Sequence, residues 1–300
     1  MIASIAPWPT MTGTTPMPTW STPLPAAARW SRKKHCGTVT WSPSGRYLLT
    51  FDGKDWSTIS VPDAKTVNLT AALPVKFWNE DTDTPSTPLA YGSAGWTKDG
   101  NSVLLYDRFD IWRVSPDGSG ARNITAGYGR KQSLRFRYVR LETDPRERWI
   151  DPAKPLLLFA ENLKTWESGF FRGAIEGGEP KQLAMAPKYF TLPVKAKDAD
   201  VLLLTEQPFG EFPDLIATDG NFKELRKVSN ANPQQAQILW GTSEVVEFKN
   251  ADGVPLTAAL SSCVPSCVSG RYSRRTKSSP SAWRPWRKST TGASRWCSIL

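Results

Sequence analysis

Between residues 37 and 260, apolar positions recur every second residue or in brief continuous blocks, and nowhere with the 3.6-residue period of an amphipathic helix. That pattern predicts strands. Thr38–Trp41 reads as a short strand, Ser42–Gly45 as a turn and Tyr47–Phe51 as a second strand. Trp56–Val61 is a third, Pro62-Asp63-Ala64 a turn, and Thr66–Leu69 a fourth. Further on, Pro155–Ala160, Gly169–Ile175 and Lys181–Ala184 form one such series, with a glycine turn at Glu176–Glu179. Asp200–Thr205, Asp214–Thr218 and Leu225–Val228 form another, with a turn at Asp219-Gly220. Glu244–Lys249 and Val254–Leu260 alternate on either side of Asn250–Gly253, which is the signature of a hairpin.

The series is a repeat. Trp41–Thr70 aligns with Trp96–Thr125 without a gap. Trp41 falls on Trp96, Gly45 on Gly100, Leu49 on Leu104, and Phe51-Asp52 on Tyr106-Asp107. Asp55 falls on Asp110, and Asn68-Leu69-Thr70 on Asn123-Ile124-Thr125. Four short antiparallel strands per unit of ~40–50 residues is the pattern of a β-propeller blade. The expected fold is all-β: a partial propeller of about four four-stranded blades. Gly45 and Gly100 are expected at positive φ in tight turns, and the tryptophans are expected to pack between blades. The two Asn-x-Thr strings read as blade-end residues before glycosylation acceptors.

Charge changes the picture at the two ends of the sequence. The formal net charge is +10, but residues 1–34 carry four basic side chains and no acid, and residues 261–300 carry eight and no acid. Between them the balance is slightly acidic. A basic excess ordinarily points to nucleic acid or an anionic membrane, and here that inference reaches only the tails. Residues 1–36 are rich in proline, threonine and tryptophan; residues 261–300 are rich in serine, arginine and tryptophan. Disordered linkers are poor in aromatics, so both tails read as out-of-frame translation flanking an in-frame body. The competing reading is a pair of basic linkers. No apolar run approaches the ~20 residues of a membrane-spanning helix, and the start has no signal-peptide pattern. The compartment is left open.

Few residues could carry chemistry. His35 is the one histidine, and Cys36, Cys263, Cys267 and Cys297 have no zinc-type spacing, so neither metal nor cofactor is expected. The acid-rich loops Asn79–Asp83 and Glu142–Glu147 are expected to be solvated surface.

Taken in order, several strings carry a family resemblance. They are Ala94-Gly95-Trp96, Val103–Asp107, Asp110-Ile111-Trp112, Lys154–Leu158, Ser168-Gly169-Phe170 and Val194–Asp200. They continue with Glu211–Leu215, Ala231–Gln235, Leu239–Thr242 and Ala251–Leu256. The body resembles the N-terminal propeller region of the prolyl oligopeptidase family of serine peptidases, closest to its bacterial dipeptidyl- and acylaminoacyl-peptidase-like branch. The resemblance implies that 37–240 are propeller blades and that 241–260 are the hairpin leading into an α/β-hydrolase domain. Ser261 onward bears no likeness to that domain.

The family's acyl transfer needs a serine on a Gly-x-Ser-x-Gly elbow, a histidine and an acid. No such string occurs; Gly92-Ser93-Ala94-Gly95 comes nearest, and no catalytic, cofactor or metal residue can be assigned. The expected function is a substrate-gating propeller portion of a peptidase acting on short peptides, inactive by itself. The alternative is a stand-alone propeller that binds a protein or peptide. A role for the basic tails on nucleic acid or membrane ranks lowest. An open arc of blades leaves apolar faces unpartnered, so self-association is also expected.

Overall fold

The computed structural model describes residues 39–82, 84–237 and 242–262. Both tails, with His35 and all four cysteines, lie outside the described residues, and so does the out-of-frame reading of the tails.

Four antiparallel sheets succeed one another along the chain. Blade 1 is β1 (Thr40–Trp41), β2 (Tyr47–Phe51), β3 (Trp56–Ser60) and β4 (Thr66–Asn68), paired in sequence order. Blade 2 is β5 (Ser93–Trp96), β6 (Val103–Tyr106), β7 (Ile111–Val114) and β8 (Ala121–Asn123). A one-turn helix, α1 (Tyr128–Gln132), leads into blade 3. That blade is β9 (Leu134–Val139), β10 (Leu156–Asn162), β11 (Ser168–Gly173) and β12 (Lys181–Ala186). In blade 4 the first row is split into β13 (Tyr189–Phe190) and β14 (Val194–Lys195), which both pair with β15 (Leu202–Gln207); β16 (Asp214–Thr218) and β17 (Arg226–Lys227) complete it. The chain is a partial β-propeller.

The structure departs from the sequence pattern in two places. The pattern predicts no helix in the body, yet α1 forms, because the Asp110 carboxylate binds the amides of Gly129 and Arg130. The pattern also misses the first strands of blades 3 and 4. There β9 mixes Arg135, Arg137 and Tyr138 into its apolar positions, and Pro193 interrupts the first row of blade 4.

The core lies between blades, not within them. Successive side chains of a strand point to opposite faces, and the middle strands have a blade on each side. Every residue of β6 is therefore buried. Val103 and Leu105, with Trp96 of β5, face back toward blade 1, where they meet Leu49, Phe51 and Trp56. Leu104 and Tyr106 face forward onto Leu134, Phe136, Leu158 and Phe171 of blade 3. In the same way Leu157, Phe159 and Phe170 of blade 3 face forward onto Phe190, Leu202, Leu204 and Ile216 of blade 4. Blades 2 and 3 thus each have a trailing face, packed on the blade before, and a leading face, packed on the blade after.

The glycine expectation holds. Gly45 and Gly100 have φ of 67° and 71° at the turns before β2 and β6, and their amides donate to Ser42 and Thr97 carbonyls. The tryptophan expectation holds only in part. Trp96 is 1% exposed and fills the gap between blades 1 and 2, its Nε1 donating to Thr40 Oγ1 at 3.4 Å. Its repeat mate Trp41 is 54% exposed. Trp41 lies on the trailing face of blade 1, and among the described residues no blade precedes it. Trp166 is exposed as well.

The two tryptophans therefore separate packing from repeat position. Trp96→Ala is expected to lower stability by about 3–5 kcal/mol, as for other buried aromatics. Trp41→Ala should change it by no more than about 0.5 kcal/mol. Urea unfolding midpoints at unchanged slope measure both.

Candidate functional site at the arginine-lined rim

The turns between the second and third strands of each blade lie at the same end of the arc as the connectors to the next blade. Three of these turns are closed by a side-chain oxygen. Asp52 Oδ1 accepts the amides of Lys54 and Asp55; Asp107 Oδ1 those of Phe109 and Asp110; Asn162 Oδ1 those of Lys164 and Thr165.

A second device ties the third strand to the connector. In blade 2, Thr125 Oγ1 donates to Asp110 Oδ1 at 2.6 Å and accepts the amide of Ile111 at 3.3 Å. Blade 1 repeats this with Thr70, Asp55 and Trp56 at 3.0 and 3.0 Å. Blade 4 repeats it with Ser229, Asp214 and Leu215 at 2.6 and 2.8 Å. The hydroxyl residue follows the aspartate by 15 positions in every case. In the two Asn-x-Thr strings, Asn68 and Asn123 turn their side-chain oxygens onto the amides of Thr70 and Thr125, the blade-end role expected of them.

Asp110 does more than its counterparts. Its carboxylate also accepts the amides of Gly129 and Arg130 at 3.0 and 3.2 Å, which fixes the start of α1. Burial, with the like charge of Asp107, raises its pKa above the ordinary aspartate value. Gly129 is needed here: a β-carbon would fall 2.7 Å from Leu134 O and 2.8 Å from both Phe109 O and Asp110 Oδ1.

Holding α1 in place gathers four arginines at the rim. Arg130 reaches Asp107 at 3.4 Å, and Trp112 Nε1 donates to the same carboxyl group at 3.0 Å. Arg108 and Arg130 both lie over the half-buried Phe109 ring, at 5.4 and 5.0 Å, and Arg108 pairs with Asp81 at 3.1 Å. Arg135 pairs with Glu161. Arg137 lies over the Tyr106 ring at 4.5 Å and donates to Phe136 O at 2.6 Å. Burial, with the neighbouring charge of Arg135, lowers its pKa to about 10, so it stays charged at neutral pH. Burial pushes the Tyr106 hydroxyl up to about 12. The rim can hold an anionic group against an aromatic surface. Among the described residues it holds no nucleophile–base pair, and no cluster of His, Cys, Asp or Glu is arranged for a metal ion.

The residues weighed in the sequence are scattered. Ser93 lies on β5 at a bulge opposite Leu105, on a strand and not on an elbow. The two acid-rich loops lie at opposite ends of the arc. Glu80 and Asp81 are at the arginine rim, paired with Lys76 at 3.0 Å and with Arg108; Asp83 lies outside the described residues. Glu142–Glu147 sits in the turn between β9 and β10, where Glu147, Asp144 and Glu142 pair with Lys98, Arg146 and Lys154. Sequence reasoning missed the rim itself. Its one sequence signal is the run of alternating basic residues Arg135 and Arg137 inside an otherwise apolar strand.

No family model and no curated protein sequence matches the chain. Several solved structures are similar to it at low identity. A putative dipeptidyl aminopeptidase IV from Bacteroides ovatus is 12% identical with a TM-score of 0.47, over 75% of this chain and 33% of that one. Acylaminoacyl peptidase from Pyrococcus horikoshii is 13% identical with a TM-score of 0.39, over 74% of this chain and 32% of that one. An oligogalacturonate lyase in complex with manganese is 10% identical with a TM-score of 0.44, over 78% of this chain and 61% of that one. The chain thus spans less than two thirds of each of these proteins, and the likeness concerns fold alone.

Two outcomes test this geometry. Gly129→Ala is expected to destabilise the fold by about 1–3 kcal/mol, because backbone carbonyls must move to admit the methyl group; thermal unfolding measures it. Asp214, bonded by Lys227, Ser229 and Ala231, has its pKa lowered to about 2. Its contribution is present above the unfolded value of about 3.9 and is lost as pH falls through about 2. The melting temperature of the native chain should therefore fall more steeply between pH 4 and 2 (roughly these two pKa values) than that of Asp214→Asn.

Proposed function

We propose that the blades are the substrate-gating propeller portion of a prolyl-oligopeptidase-type serine peptidase, closest to the dipeptidyl- and acylaminoacyl-peptidase-like branch, which acts on short peptides. The observation that carries this reading is a hairpin C-terminal to blade 4. After a 3-10 turn at Pro233–Gln237, strands β18 (Thr242–Lys249) and β19 (Pro255–Ser262) pair with each other over eight positions from Thr242↔Ser262 to Lys249↔Pro255. Among the described residues they pair with no blade strand. The turn is closed by Asn250, whose side-chain oxygen accepts the amides of Asp252 and Val254, with Gly253 at φ 78°. Val245, Phe248, Val254 and Leu256 are exposed on it.

A stand-alone propeller has no use for a long hairpin with apolar residues bared to water. A hairpin that opens a second domain does, because that domain covers it. In this reading the Asp252–Leu256 segment starts the hydrolase, and the blades restrict what reaches it. The rim arginines suit the charged end of a short peptide, with Phe109 as the apolar surface beside it. The gating role needs nothing from the triad, no member of which can be assigned in this sequence.

The test is the DNA beyond codon 260, translated in all three frames. A Gly-x-Ser-x-Gly elbow followed by an aspartate and a histidine is expected in another frame. Its absence from every frame would overturn the reading in favour of a propeller that binds a partner. The purified 300-residue chain is expected to cleave chromogenic dipeptide and acylaminoacyl substrates no faster than buffer. Hydrolysis that is lost on blocking a serine would contradict this.

A further inference from the structure

We infer that Arg137 anchors the carboxylate of a singly charged ligand with an apolar group beside that carboxylate, as at the C-terminal end of a short peptide. The carboxylate site stands on geometry alone; that a peptide supplies the carboxylate rests on the gating reading. The other three rim arginines already have their acids: Arg108 has Asp81, Arg130 has Asp107 and Arg135 has Glu161. Glu80 pairs with Lys76, and Asp110 is turned onto the Thr125 hydroxyl and the amides of Gly129 and Arg130. Arg137 is half-buried, and among the described residues it pairs with no carboxylate and makes one hydrogen bond, to Phe136 O at 2.6 Å. The Tyr106 ring takes the flat face of the guanidinium at 4.5 Å. Its remaining N–H donors lie in the guanidinium plane, where an oxyanion can take them as a fork. A cation withdrawn from water is costly unless it is paired, so the site is complete only with an anion on it.

Two observations set the chemistry of the ligand. The first is charge. With the other rim arginines matched, a single positive charge is left over at Arg137. Burial lowers its pKa, and Asp107 and Glu161, beyond ion-pairing distance, oppose this only in part. One carboxylate neutralises the surplus. A phosphate dianion would exceed it and meet those two acids as like charge. The second observation is the neighbouring surface. Strand β9 has a strand partner on one side only. On its other side Phe136 joins the two parts of the site: its amide donates to Phe109 O at 2.8 Å and its carbonyl accepts Arg137. The half-buried Phe109 segment is thereby held against β9 next to the anchor. Its ring, under Arg108 and Arg130, is the apolar surface for the group beside the carboxylate.

The test is isothermal titration of the full chain with N-acetyl-phenylalanine, with its amide and with inorganic phosphate. Far-UV circular dichroism confirms folding. The acid is expected to bind at least ~10-fold more tightly than either the amide or phosphate, the worth of one charge-assisted pair. Arg137→Gln should weaken the acid by at least ~10-fold and leave the amide as it was. Arg137→Lys, which keeps the charge and loses the fork, should recover part of that loss. An acid that binds no better than its amide would overturn the inference, and this comparison needs no variant. Phosphate binding more tightly than the acid would overturn it too, as would undiminished acid binding by a folded Arg137→Gln chain. N-acetyl-alanyl-alanyl-phenylalanine is expected to bind at least as tightly as the single acid; weaker binding would overturn the peptide as its source. None of these results bears on the frames beyond codon 260, so the anchor and the gating reading fail separately.

Discussion

An aspartate bonded to a hydroxyl 15 residues later, buried in blades 2 and 4 and half-buried in blade 1, sets the geometry of this arc. The two residues flank the last hairpin of a blade, so their bond fixes where the outer edge of one blade ends and where the path to the next begins. The hydroxyl donates to the carboxylate and accepts the amide that succeeds it. One side chain thus satisfies a buried acceptor and a buried donor that the sheet leaves over. An unpaired buried polar group costs about 1–3 kcal/mol, and a charged one more, so these contacts cannot be surrendered singly. Blade 3 has no aspartate at this place. There Ser168 spans the gap alone, donating to Lys188 O and accepting the amide of Phe190. The need to tie each blade to the next is met in all four sheets, and the chemistry that meets it varies.

Once the latches hold the connectors, alternation dictates burial. A four- or five-residue strand between two blades buries both faces, which is why Val103–Tyr106 has no polar position at all. At about 1.5–3 kcal/mol per fully buried large aliphatic side chain, the three clusters between blades are the principal stabilising element. They also make the arc quasi-one-dimensional, since each blade's packing involves only its neighbours. The same arrangement assembles the rim. Asp110 serves as latch and as the anchor of α1, and α1 brings Arg130 to Asp107 and Phe109.

Much of this is legible in the sequence. The 30-residue alignment finds both latch partners of blades 1 and 2 as matched residues, Asp55 with Asp110 and Thr70 with Thr125, though not that each pair bonds. The third pair escapes because Ser229 replaces threonine and its flanking residues differ. Strands with clean alternation, such as Tyr47–Phe51 and Asp214–Thr218, are readable to within a residue. The first strands of blades 3 and 4 are not. Those rows line the inner edge, where one side is open and arginine or proline is tolerated, so the apolar pattern fades. Trp41 misleads for the complementary reason. A repeat fixes what a side chain is built to touch, but only the neighbour decides whether it is buried. The rim is invisible because its members come from four separate elements, joined by a helix with no periodic signal of its own.

Terminal repeats are where such an arc is weakest. Blades 2 and 3 bury both faces. Blade 4 buries its trailing side through Phe190, Leu202, Leu204 and Ile216, while its leading side stays exposed. Its first row is split and its last strand is two residues long. With Leu203, Leu215 and Val194 of its leading side open to solvent, this blade sits at the low end of local stability. Whatever covers its leading face acts through the clusters behind it. It restricts the opening of blade 4, and so keeps water from the cluster shared with blade 3, to which Val139 of β9 belongs. The strand that carries Arg135 and Arg137 is therefore tied through Val139 to the packing of blade 4, by ordinary contact and no dedicated relay.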